Sequence, residues 1–424
     1  MRMPQLHELP VEIWQQVLRN VFDVPYALDT TVPTDGCFWH QQDRYHDKQV
    51  YWISEQERKK LRLVCRSWRD YVDEYRCRWI SWDPHPFAMN REAMEAGVAL
   101  GIREDYMEDP VPPIRPFRAF MSIKNETDYS LFKSSLNDTF GRLTTLFVHC
   151  SSLYGPAIFD LLIANAHSLP DLRCLMLKHI NFRETPLSLL SKAFPFLTGL
   201  TLDGGLLPPN PNDCLRLSQL ESLYLDLPSL EGMSCKTWHL PGLVRLSVPL
   251  ARREREASQV FECLRSHGAN MTFLHISYGE PATLPRDIWR WCPHMTEIVT
   301  SFSIVTLEGP IPAEHPLRYL VHLALNDSFT DNSPTLLHNI ELLPPNSTVV
   351  VGVRSWERYM KENVPTAVED NAVRLWTQVD SLCRSKEIRL EDEEKETFDK
   401  YLTHRDTVKN TFVPRGLLDS LTLV

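Results

Sequence analysis

Cys37, His40 and His46, in the segment CFWHQQDRYH, are by type the residues best suited to hold a metal. A thiolate and two imidazoles are ordinary zinc ligands, but a closed tetrahedral site needs a fourth at compatible spacing, and none follows. The ten cysteines are scattered, the closest pair being Cys65 and Cys77, twelve positions apart. No Cys-x-x-Cys occurs, so neither a zinc ribbon nor a dithiol redox motif is expected. Cys65 falls on an apolar stripe, which suits a packed side chain better than a nucleophile. Gly-x-x-x-x-Gly-Lys, Gly-x-Gly-x-x-Gly, nucleophile-elbow and His-Glu-x-x-His patterns are missing, and 15 glycines in 424 residues is low for a nucleotide-loop protein. The expectation is a non-catalytic chain with no metal and no cofactor.

The elements must then position binding surfaces rather than reacting groups. With 424 residues the chain has room for two or three domains, and 43% hydrophobic and 24% charged residues are ordinary for a globular protein. A net charge of −10 argues against nucleic acid as the main partner, because phosphate binding needs a basic face. Arg252, Arg253 and Arg255 read as a solvated helix start. No apolar run approaches the length of a membrane span, and MRMPQLHELP has no signal core, which predicts cytoplasm or nucleus.

Two N-terminal segments carry helical periodicity. Ile13, Trp14, Val17, Leu18, Val21 and Phe22 recur behind Pro10, and Leu61, Val64, Cys65, Trp68, Tyr71, Val72 and Tyr75 form a second stripe. Two short helices cannot bury both stripes in so small a domain, so the surplus apolar surface suits a partner. Leu9-Pro10-x-Glu12-Ile13, Val17-Leu18 and Val64-Cys65-Arg66-Ser67-Trp68 together resemble the F-box. The resemblance covers under a fifth of the chain, and an insert over about 23–56 separates its halves. It implies docking on the adaptor subunit of an SCF ubiquitin ligase, and through it on cullin, by Leu9, Pro10, Ile13, Val17, Leu18, Val64 and Trp68.

From Leu143 to Leu325 an apolar-x-x-apolar-x-apolar pattern repeats, starting at Leu143, Leu172, Leu197, Leu220, Leu243, Met271, Met295 and Leu320. The steps of 29, 25, 23, 23, 28, 24 and 25 residues resemble leucine-rich repeats, each giving a short strand plus a helix or turn. The usual ninth-position Asn or Cys is replaced throughout, and the eleventh-position apolar residue survives as Leu153, Phe182, Leu207, Leu230 and Val305. Helices are predicted over 156–169, 186–194, 254–268 and 369–383, a further strand over 347–353, and a solvated helix face at Glu391 to Glu396.

The fold class expected is therefore α/β: a small helical F-box (1–82), a linker and cap (83–140), an irregular parallel solenoid with helices and loops on its convex side (141–353), and a C-terminal cap and tail (354–424). Such chains resemble fungal-type F-box proteins with degenerate repeats, which implies a substrate-recognition subunit bridging a ligase to a protein substrate, with neither nucleic acid nor membrane as partner. The alternative is a non-catalytic repeat scaffold joining a non-ligase complex. Because strand side chains alternate, the third, fifth and seventh positions point outward. That row includes Cys174, Lys178, Thr201, Asp203, Asp226, Glu297, His322 and Asn326, with Met176, Tyr224, Arg245, Phe273 and His275 as expected substrate contacts.

Overall fold

The computed structural model describes residues 11–22, 56–73, 79–82, 118–138, 140–151, 153–178, 186–203, 214–226, 235–249, 254–277, 282–300, 305–322, 333–351, 356–357, 360, 369–392 and 395–411. The fold is mixed α/β with open, parallel sheets, and the chain divides into two compact units, Met1–Leu243 and Val244–Val424.

The first unit opens with helix α1 (Val11–Phe22), a helical segment over 56–61 and helix α2 (Arg66–Asp73). The single helix expected from Leu61 to Tyr75 is broken. The Leu63 and Val64 amides donate to the Lys60 and Leu61 carbonyls in a tight turn, and helical bonding restarts with Arg69 donating to Cys65. Parallel strands β1 (Trp79–Trp82), β2 (Arg118–Ile123), β3 (Thr145–Cys150), β4 (Cys174–Lys178), β5 (Gly199–Asp203) and β6 (Ser222–Asp226) follow in spatial order. Two of these precede the first expected repeat, at WISW and RAFMSI. Helices α3 (Glu126–Asp138), α4 (Gly155–Ala164) and α5 (Leu187–Ala193) fill the crossovers after β2, β3 and β4. A reciprocal cap starts α3: the Asp128 amide donates to Asn125 Oδ1 at 2.9 Å, and the Lys124 amide to Asp128 Oδ2 at 3.0 Å.

In the second unit, β7 (Arg245–Pro249), helix α6 (Glu254–His267) and β8 (Phe273–Ser277) are followed by β9 (Ala282–Leu284), α7 (Ile288–Trp291), β10 (Glu297–Thr300) and β11 (Val305–Leu307). Then come β12 (Tyr319–His322), α8 (Ser333–Glu341), β13 (Thr348–Val351), α9 (Glu369–Ser385), β14 (Arg389–Glu391) and α10 (Phe398–Thr411). The pairings β7–β8–β10–β12–β13–β14 are all parallel, and β9 and β11 form a separate parallel pair. Asn339, fully buried, ties this pair to α8: its Oδ1 accepts from the Leu307 amide at 2.9 Å and its Nδ2 donates to the Val305 carbonyl.

One turn recurs before the strands. The first-position amides of Leu143, Leu172, Leu197, Leu220, Leu243, Met271 and Met295 each donate to the carbonyl three residues back. The second-position carbonyl then accepts two amides from the next unit: Thr144 from Arg173 and Cys174, Arg173 from Thr198 and Gly199, Thr272 from Thr296 and Glu297. Thr296 accepts in this way from Arg318 and Tyr319, so the eighth unit starts at Leu317, not Leu320. His322 consequently occupies the inward sixth position and is buried, not outward, and Asn326 lies outside the described residues. In place of the carbonyl, His315 Nδ1 accepts the Leu317 amide at 3.2 Å.

The core is the inward row of leucines, isoleucines and valines with the apolar faces of the helices. In the second unit Trp356, Trp376 and Phe398 add an aromatic cluster, with Trp356 at 5.4 Å from Trp376 and 4.8 Å from Phe398. The acidic run from Glu391 is not a solvated helix face at its start. Glu391 and Asp392 are buried, and Asp392 accepts the Trp356 amide at 2.8 Å and the Glu396 amide at 2.7 Å. Leu153, the eleventh-position apolar residue of the first repeat, is 86% exposed.

Candidate functional site

The α1 sequence places apolar residues over about half of its circumference, and one partner segment covers only part of that arc. Leu18 (3% exposed) packs with Val72 beneath Leu61, Trp68 and Tyr71. Trp14 lies against Trp68 with ring centroids 5.6 Å apart, and the Tyr71 hydroxyl donates to the Gln15 carbonyl at 3.1 Å. Arg58, buried beside them, donates to the Val72 carbonyl at 3.3 Å. One turn round the helix, Ile13 and Val17, each 43% exposed, and Val21 stay open. In the turn between the helical segments, Leu63 (83%) and Val64 are open too.

The expected adaptor contacts therefore separate. Ile13, Val17 and Val64 are on the surface. Leu18 is core and Trp68 is half-buried against Trp14, so these two hold the helices together. Leu9 and Pro10 lie outside the described residues, as do Cys37, His40 and His46. Val21 and Leu63 were missed; the same periodicity that marks Val17 contains Val21, while nothing in the spacing announces the turn at Leu63. Cys65 is exposed in that turn, against the packed position expected of it.

The second candidate surface is the outward strand face. In the first unit, strand register aligns Phe120, Phe147, Met176, Thr201 and Tyr224 in one row. Phe120 and Phe147 stack at 4.5 Å. Met176 and Tyr224 are half-buried, and at the next row Lys178 pairs with Asp203 at 3.3 Å. In the second unit Arg245 lies 5.5 Å from the centroid of Phe273, and Phe273, Val299 and Val321 form a small apolar cluster apart from the core. Tyr319, 48% exposed, is an open aromatic on this face. His275 is only 2% exposed and its Nδ1 is 2.8 Å from Ser247 Oγ. Met176, Tyr224 and Arg245 are thus the half-open members of the expected set, while Phe273 and His275 are covered.

The buried thiols are packing groups. Desolvation pushes Cys150, Cys292 and Cys383 up to about 12, the neighbouring Cys263 adding to the effect on Cys292, so all three stay protonated at neutral pH. Among the described residues no cluster of His, Cys, Asp and Glu is arranged to hold a metal, and no helix is long and apolar enough to cross a membrane.

No known protein family and no curated protein matches the chain. Among solved structures, a structural-genomics protein from Bacteroides fragilis is similar at 15% identity with a TM-score of 0.30, over 51% of this chain and 78% of its own.

Proposed function

We propose that this protein is the substrate-recognition subunit of an SCF-type ubiquitin ligase in the cytoplasm or nucleus, with an F-box at its N-terminus followed by an irregular leucine-rich-repeat solenoid. The observation that carries the reading is the double apolar arc of α1. One half is already used on Val72 and Trp68, and the other (Ile13, Val17, Val21) faces outward on the segment that matches the F-box pattern. Isolated apolar residues on a surface need no explanation, but three on one side of a 12-residue helix, with Leu63 and Val64 nearby in sequence to its packing partner, suit a docked protein. The solenoid reading is supported by parallel pairing at every described step between successive repeats and by the recurring turn before the strands.

In this reading the chain contributes position rather than a reacting group. α1 and the 56–73 segment bind the adaptor subunit, and the outward strand face holds the substrate. Tethering then raises the substrate's effective concentration beside a loaded conjugating enzyme, into the millimolar range for a short linkage. The reading is tested by capture of the adaptor and cullin on the full-length protein. Val17→Asp should abolish capture while leaving the melting temperature unchanged. Undiminished capture by that variant sinks the proposal.

A further inference from the structure

Resting on that reading, we infer that the docking surface is steered by charge, and that its partner presents an apolar groove rimmed with carboxylates. In a chain of net charge −10, residues 56–73 hold six basic side chains against three acidic ones. Lys60, Arg66 and Arg69 are exposed, and they flank the turn that lifts Leu63 and Val64 out of the fold. Of these, Lys60 pairs with Glu57 at 2.6 Å, and Arg69 Nε reaches the Arg62 carbonyl at 3.5 Å. Glu57 is already counted among the three acids, and a backbone carbonyl leaves the guanidinium charge of Arg69 in place. The positive rim is thus local, set around apolar residues on an otherwise acidic protein.

Rim charges contribute more to encounter than to the strength of the final complex. Opposite potentials raise association rates by roughly 10–1,000-fold, and salt removes the gain because exposed charges are screened beyond about 8–10 Å. A protein partner fits better than an anionic membrane or nucleic acid, since the remainder of this chain is more negative than the whole and would be repelled from a polyanionic surface.

The test measures association and dissociation of the full-length protein with the purified SCF adaptor subunit at about 50 and about 500 mM NaCl. The expected result is an association rate about tenfold lower at high salt, with the dissociation rate changing little. The variant Lys60→Glu/Arg66→Glu/Arg69→Glu, checked for an unchanged melting curve, should lose about tenfold in association rate at low salt and converge on the unaltered protein at high salt. Normal binding with a rate indifferent to salt and to the variant overturns this inference alone. Failure of the unaltered protein to bind at either salt overturns the ligase reading with it. Binding to phosphatidylserine vesicles that the same variant abolishes would assign the basic rim to a membrane and overturn the inference as well.

Discussion

Neighbouring residues of α1 stand in opposite environments, Leu18 in the core and Val17 on the surface, and a pair of substitutions separates them. Leu18→Ala should cost about 2–5 kcal/mol, read as a lower unfolding midpoint, because it opens a cavity against Val72. Val17→Asp, one residue away on the open side, should leave that midpoint in place and act on partner binding. His322 gives a pH signature. Burial against Trp376, with ring centroids 5.8 Å apart, pushes its imidazole down to about 4, against about 6.5 in an unfolded chain. Between those values the unfolded chain holds a proton that the folded one lacks, so stability rises with pH through the window and is lost as pH falls from 6.5 towards 4. The full loss is about 3 kcal/mol. Denaturant titrations at pH 4.5, 5.5 and 7 should show a shallower decline for His322→Leu than for the unaltered protein; parallel declines would rule His322 out.

At the scale of elements, the turn before each strand is the exacting part. Three residues ahead of the first position stand buried Phe140, Leu169, Phe194, Leu217 and Leu240, but Gly268 takes that place in the unit ending in β8. A Cβ there would lie 2.6 Å from Cys292 Sγ and 2.7 Å from the Trp291 carbonyl, so Gly268→Ala should destabilise by about 1–3 kcal/mol in denaturant unfolding. The leucine pattern made β3 to β8 and β10 readable, because the first, fourth and sixth positions are the buried ones; β9 carries no such pattern. Other features were hidden for physical reasons. β2 buries Ala119, Met121 and Ile123, but neither it nor β1 carries the leading leucine. The eighth unit was misplaced because the Leu320–Leu325 stretch matches the apolar template better than Leu317-Leu320-His322, where a buried imidazole stands in for leucine. On α1 the periodicity marked the whole apolar arc; which half faces inward depends on where Trp68 and Val72 arrive, each 54 residues beyond the α1 residue it packs against (68 − 14 and 72 − 18).

For the whole molecule, removal of inner and terminal parts should differ. Each described repeat pairs only with its neighbours, so deleting 197–219 would expose core on both sides, whereas deleting 412–424 removes residues beyond α10. The expected outcome is loss of the cooperative thermal transition in the first case and its retention in the second. The carbonyl shared by two amides of the next unit has a further consequence, for length. From its first position to the end of its strand each unit varies by at most two residues, while starts fall 29, 25, 23, 23, 28, 24 and, with Leu317, 22 residues apart. Most of that variation falls in the stretch between one strand and the next turn. The chain therefore has something like a reading frame: six Gly-Ser residues inserted between Asp203 and Cys214 are tolerated, since even doubling a loop costs only about 0.6 kcal/mol. A single residue inserted between Phe194 and Leu197 shifts every alternating side chain of β5 to the opposite face.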